Sequence, residues 1–89
     1  MRIEFDPKKA SSNLKKHGVS FAEAESVLLD TLALVEEDED AQGEIRFVVV
    51  GISNAGNLLT VCYTLIGDET IRLISARPAT RNERRQYEN

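Results

Sequence analysis

Along this chain the spacing of apolar positions switches between two and three-to-four, and each switch marks the edge of an element. Arg2 to Phe5 alternate polar and apolar and predict a short first strand, ended by Asp6-Pro7. Asp6 can cap orphan amides, and Pro7 fits the first helical position, where its missing N–H costs nothing. A first helix is expected to run to about His17 on a thin apolar stripe of Ala10 and Leu14, with Gly18 as its left-handed stop. Ser20-Phe21-Ala22-Glu23 has the spacing of a capping box, and Phe21, Ala24, Val27 and Leu28 recur at helical intervals. They predict a second helix over 21–30, forming a hairpin with the first.

Beyond that the period falls to two. A short strand is expected from Thr31 to Val35, a β-branched strand from Ile45 to Ile52, a turn at Ser53–Asn57, and a strand from Leu58 to Leu65. Gly67-Asp68 turns the chain into a last strand, Glu69 to Ala76, which makes an antiparallel meander the natural topology. Thr80-Arg81-Asn82-Glu83 repeats the capping-box spacing and opens a terminal helix with Arg81, Arg84 and Arg85 on one side. The order is β-α-α-β-β-β-β-α, an α+β fold whose antiparallel sheet is covered by helices mainly on one face. No repeat, low-complexity tract or linker interrupts it, so residues 1–89 read as a single domain.

Charge changes this picture. The 89 residues carry a net charge of −4, yet six of the fifteen acidic residues fall between Glu36 and Glu44, leaving nine against eleven basic elsewhere. A basic surface is therefore compatible with an acidic chain. Lys8, Lys9, Lys15 and Lys16 crowd the first helix, and five arginines, Arg72, Arg77, Arg81, Arg84 and Arg85, follow Ile71. Guanidinium forks on rigid structure suit a polyanion. The lone cysteine, Cys62, forms no internal disulfide and suits a reducing compartment, so a cytoplasmic location is expected. No window is long and apolar enough for a bilayer, and no membrane role is expected.

His17, the only histidine, stands at a helix end beside Lys15 and Lys16. The helix terminus favours its protonated form and the ammonium groups oppose it. The plainer reading is a helix-capping residue beside solvated lysines. RNA cleavage without metal needs a proton acceptor for the 2′-hydroxyl, a proton donor for the leaving 5′-oxygen, and cations on the phosphate. His17 or a lysine fits the first two roles, and Arg77 with Arg81 the third. For Arg72 and Arg84, ion pairing on a solvated face is an equal alternative.

Arg72 and Arg77 are an odd number of positions apart and point to opposite faces of a regular strand unless a bulge or a strand end intervenes. Pro78 suggests a strand end near Arg77, which would leave its side chain free to swing towards the helix pair. An EF-hand on Asp38–Gly43 is unconvincing because Val49 stands where the loop's final acid belongs. One His and one Cys make no zinc shell, so neither metal nor cofactor is expected.

The chain resembles the BrnT family of bacterial toxins over nearly its full length. The resemblance rests on Glu4-Phe5-Asp6-Pro7-Lys8-Lys9-Ala10, Asn13-Leu14-Lys15-Lys16-His17-Gly18-Val19-Ser20-Phe21, and Asp30 with Leu32-Ala33. It continues through Glu44-Ile45-Arg46-Phe47, Gly51, Ile71-Arg72-Leu73-Ile74-Ser75-Ala76-Arg77, Ala79-Thr80-Arg81, Glu83-Arg84 and Tyr87. It implies a RelE-like fold and a ribonuclease that arrests translation, held silent by a BrnA-like antitoxin. That antitoxin is expected to carry a ribbon-helix-helix domain, so operator DNA is reached only through it.

Carried onto this sequence, the resemblance makes Lys16, His17 and Arg77 catalytic candidates. Arg46, Arg72, Arg81 and Phe5 become candidate RNA or phosphate contacts. Two positions depart from it: Phe5 stands where many relatives have tryptophan, and Leu65-Ile66 follows Thr64 where relatives often carry arginine. The second departure keeps an alternative open, a catalytically weak toxin that acts mainly as antitoxin partner and co-regulator. Basic helix one, the sheet's open face and the acidic loop are all candidates for the antitoxin contact.

Overall fold

The computed structural model describes residues 1–38 and 45–89. Glu39, Asp40 and Glu44, and the Asp38–Gly43 calcium-loop reading beyond Asp38, lie outside the described residues. The elements are β1 (Arg2–Glu4), α1 (Pro7–His17), α2 (Phe21–Val27), β2 (Leu34–Asp38), β3 (Arg46–Ile52), β4 (Leu58–Ile66), β5 (Thr70–Pro78) and α3 (Arg81–Glu88). Their order is the one expected from the periodicity. The sheet runs β1-β5-β4-β3-β2. Its four later strands form the antiparallel meander, while β1, tethered to the helices rather than to a hairpin, lies parallel to β5.

The cap signals act as written. Asp6 Oδ1 accepts from the Lys8 amide at 2.8 Å, Gly18 closes α1 at φ 71°, and Ser20 Oγ accepts from the Glu23 amide at 3.0 Å. Thr80 and Glu83 complete a reciprocal capping box.

Three boundaries differ from expectation. α2 stops at Val27 rather than reaching residue 30, and β2 begins at Leu34 rather than Thr31. Asp30 is the cause: its Oδ1 accepts from the Leu32 amide at 2.9 Å and its Oδ2 from the Ile52 amide at 2.8 Å, which replaces helix with a pinned turn. β5 continues through Pro78, so Arg77 is not at a loose strand end but pairs with Thr60. A proline is tolerated there because the strand closes with it, and the next amide, of Ala79, bonds Leu58 O.

The helix hairpin packs on one sheet face, where Val19, Phe21, Ala24 and Val27 meet Val49, Leu59, Val61 and Leu73. The predicted stripe of α1 is corrected in one respect. Leu14 is exposed, and the buried residue of that face is Asn13. Gly51 leaves room for the chain packed on β3: a Cβ there would stand 3.0 Å from both Ala33 Cβ and Val27 Cγ1.

A register shift in β5 opposite Cys62 and Tyr63 makes Ile74 the extra residue of a bulge. Arg72 then pairs with Thr64 and Arg77 with Thr60, two positions of β4 that share a face. Both arginines therefore project from the face opposite the helix hairpin, the geometry that a regular strand forbids.

Candidate functional site

β1 pairs with β5 only over Thr70–Arg72, so among the described residues the β5 edge beyond it is free of a strand, and α1 packs along it. Asn13 fastens the two together. Its Nδ2 donates to Val19 O at 3.0 Å and Ala76 O at 2.8 Å, and its Oδ1 accepts from the Ala76 amide at 3.1 Å. A buried amide side chain satisfied by three backbone groups fixes the last turn of α1 against the bulge.

That turn carries Lys16 and His17. Together with Lys8, Lys9 and Ser12 they face Ile74 and Ser75 across an open cleft of about 310 Å³. Lys8, Ser12 and Lys16 follow at intervals of four, a signal present in the sequence but easily read as a solvated helix face. His17 also borders a second cleft with Glu23, Asn57, Pro78 and Arg84, so it lines both. Glu23 accepts from Ser53 Oγ at 2.7 Å and Asn57 Nδ2 at 2.8 Å, bonds that hold its carboxyl below the usual range.

Arg77 lines neither cleft. Its guanidinium forks onto Glu83, Nη1 to Oε1 at 2.8 Å and Nη2 to Oε2 at 3.0 Å. Glu83 Oε1 also accepts from Thr60 Oγ1 and from the Thr80 amide, both at 2.8 Å. Chiefly through Arg77, the Glu83 carboxyl is lowered to about 2, and the same bond raises Arg77. The expected swing of Arg77 towards the helix pair is thus replaced by a lock onto α3.

The remaining arginines are spread out. Glu4, Arg72, Thr64, Arg46 and Asp38 form one transverse row across all five strands of the open face. Arg72 lies 3.6 Å from Glu4 and Arg84 lies 3.9 Å from Glu88, so both take the ion-pair arrangement weighed for them. Arg81 is exposed at the start of α3. Phe5 is half-exposed, its ring edge-on to Phe21 with centroids 5.4 Å apart. Leu65 and Ile66 border a cleft shared with Arg72, Thr64 and Phe47, beside the row of arginines.

The structure therefore brings Lys16 and His17 together and holds Arg77, Arg46 and Arg72 on the other side of the sheet. Asn13 and the Asp30–Tyr87 pair, with Tyr87 Oη donating to Asp30 Oδ2 at 2.5 Å, are positioning groups the sequence reading missed, and Glu83, read there as a capping residue, also holds Arg77. Asn13 gave a signal, a polar residue at a core interval of a helix. Among the described residues no group of three or more His, Cys, Asp and Glu is placed to hold a metal, and no helix is long and apolar enough to cross a membrane.

Residues 5–83 match the family model described as the ribonuclease toxin BrnT of a type II toxin–antitoxin system. The crystal structure of the Brucella abortus ribonuclease toxin BrnT superposes with a TM-score of 0.70 at 29% identity, covering 91% of this chain and 99% of that one. No curated protein gives a match.

Proposed function

The chain belongs to the BrnT family of ribonuclease toxins of type II toxin–antitoxin systems, and from that premise we propose that it cuts RNA itself, without a metal, in the cleft between α1 and β5. One observation carries this reading: the chain's only imidazole and three ammonium groups converge on one open cleft. His17 takes the proton of a 2′-hydroxyl, whose oxygen attacks the adjacent phosphorus. The 5′-oxygen leaves with a proton from Lys16. The products are a 2′,3′-cyclic phosphate and a 5′-hydroxyl, and no further reactant is consumed.

Lys8 and Lys9 face the phosphate oxygens, where charge accumulates in the transition state. Arg77, on the other side of the sheet, offers a separate phosphate contact by exchanging the Glu83 carboxylate for a phosphate oxyanion of the same bidentate geometry. Arg46, Arg72 and Arg81 hold flanking phosphates, and the exposed edge of Phe5 meets a base. Arrest of translation follows from RNA loss in the cytoplasm. Silencing falls to a BrnA-like antitoxin whose ribbon-helix-helix domain carries the pair to operator DNA, a task the acidic toxin does not share.

A second reading has its own support. Leu65 and Ile66 put apolar side chains beside Arg72, and Glu83 occupies Arg77, features of a toxin kept mainly to bind its antitoxin. Expression without antitoxin separates the two. The ribonuclease reading expects growth arrest that His17→Ala and Lys16→Ala each relieve at equal protein levels. Undisturbed growth with folded protein present favours the second.

A further inference from the structure

Among the described residues β2 is one of the two edge strands of the sheet, β1 being the other, and it is bonded to β3 on one side only. Edge strands are commonly guarded by lysine, a bulge or a covering loop, because their unpaired amides and carbonyls accept another strand. This edge is instead apolar at its start and acidic at its end. Leu29, Leu32 and Val35 are 82%, 74% and 53% exposed, the first two the most exposed leucines of the described chain. Leu34 and Val35 project from opposite faces of the strand, so apolar surface flanks the edge on both sides. Nor is the preceding turn loose, since Asp30 ties it to the Leu32 and Ile52 amides and to Tyr87. The leucines are presented outward on a fixed support. Glu36 and Glu37 follow, both exposed.

Resting on the proposal that this chain is paired with an antitoxin, we infer that β2 receives an extended segment of that antitoxin as a sixth strand, built of apolar and basic residues. The segment's main chain pairs with Leu34–Asp38, its apolar side chains cover Leu32 and Val35, and its cations meet Glu36 and Glu37. Charge selects this occupant. A second copy of this chain would bring its own three consecutive carboxylates of β2, Glu36 to Asp38, against the first, and like charges across a strand pair repel. RNA is repelled for the same reason. The position also separates holding from silencing. β2 stands three strand spacings from β5, roughly 14 Å, so a segment seated there leaves the His17 cleft open.

The test uses the full chain and a BrnA-like antitoxin, with affinities measured for the wild type, Leu29→Ser/Leu32→Ser and Glu37→Lys. Each variant is expected to bind at least ten-fold more weakly while keeping its thermal midpoint and its action on RNA. Amide exchange at the outward-facing positions of Leu34–Asp38 is expected to slow in the complex. Full affinity in both variants, with exchange slowed only elsewhere, overturns the inference and leaves the antitoxin pairing intact. Failure of the wild type to bind the antitoxin at all overturns the pairing and this inference with it.

Discussion

Glu83 accepts four hydrogen bonds, two from Arg77 and one each from Thr60 and the Thr80 amide, and so ties α3 to β4 and β5 through one carboxylate. Its folded pKa of about 2 lies below the ordinary 4.5. A depressed carboxyl stabilises the fold fully above its unfolded value and loses that contribution as pH falls through the folded one. Because the Arg77 side chain is 39% exposed, solvent screening trims the effect to roughly 1–2 kcal/mol. Glu83→Gln should therefore lower the urea midpoint at pH 7, and its deficit against the wild type should close between pH 4.5 and 2. A deficit unchanged at pH 2 would show that the carboxylate charge is irrelevant. The same exchange bears on catalysis. With its partner neutral, Arg77 is freer to meet phosphate, and Glu83→Gln is expected to bind RNA at least as tightly as the wild type.

At the scale of elements, the cleft depends on how α1 is held. Asn13 satisfies Val19 O and both main-chain groups of Ala76, and Asn13→Ala leaves all three without that partner in the interior. Buried unsatisfied groups cost about 1–3 kcal/mol each, so a loss of roughly 2–4 kcal/mol is expected after relaxation, read by chemical denaturation. Gly51→Ala is expected to cost about 1–3 kcal/mol, since its Cβ would press on Ala33 and Val27 at 3.0 Å.

These two residues show what the sequence discloses. Element order, caps and the core of α2 were legible because period and capping chemistry are local. The end of α2 was not, because Asp30 acts on Ile52, twenty-two positions away. Nor was the bulge at Ile74, which needs the register of β4 to be seen, and with it the shared face of Arg72 and Arg77. The lysine–histidine cluster was visible as residues. Its separation from Arg77 was not, because the faces of β5 are set by that bulge.

The whole molecule keeps opposite charges at opposite ends of its sheet. The basic wall of α1 stands against β5, and the exposed Glu36 and Glu37 stand on β2, although the net charge is −4. Lys8, Lys9 and Lys16 engaging two or three phosphates would give RNA binding a log–log salt slope of roughly −1.4 to −2, at about −0.7 per phosphate. Lys8→Gln should make it shallower by about 0.7. A 2′-O-methyl RNA, which cannot be cut, permits the titration, and a slope near zero would remove the cleft as a phosphate site.

The ribonuclease site itself meets its sharpest test in one reaction. Purified, antitoxin-free protein is incubated with end-labelled RNA in excess chelator beside His17→Ala, and the product ends are identified. Cleavage to 2′,3′-cyclic phosphate, slowed about 10²-fold or more by the substitution, is the expected result. Cleavage that His17→Ala leaves intact, or that vanishes in chelator, would contradict the site proposed between α1 and β5.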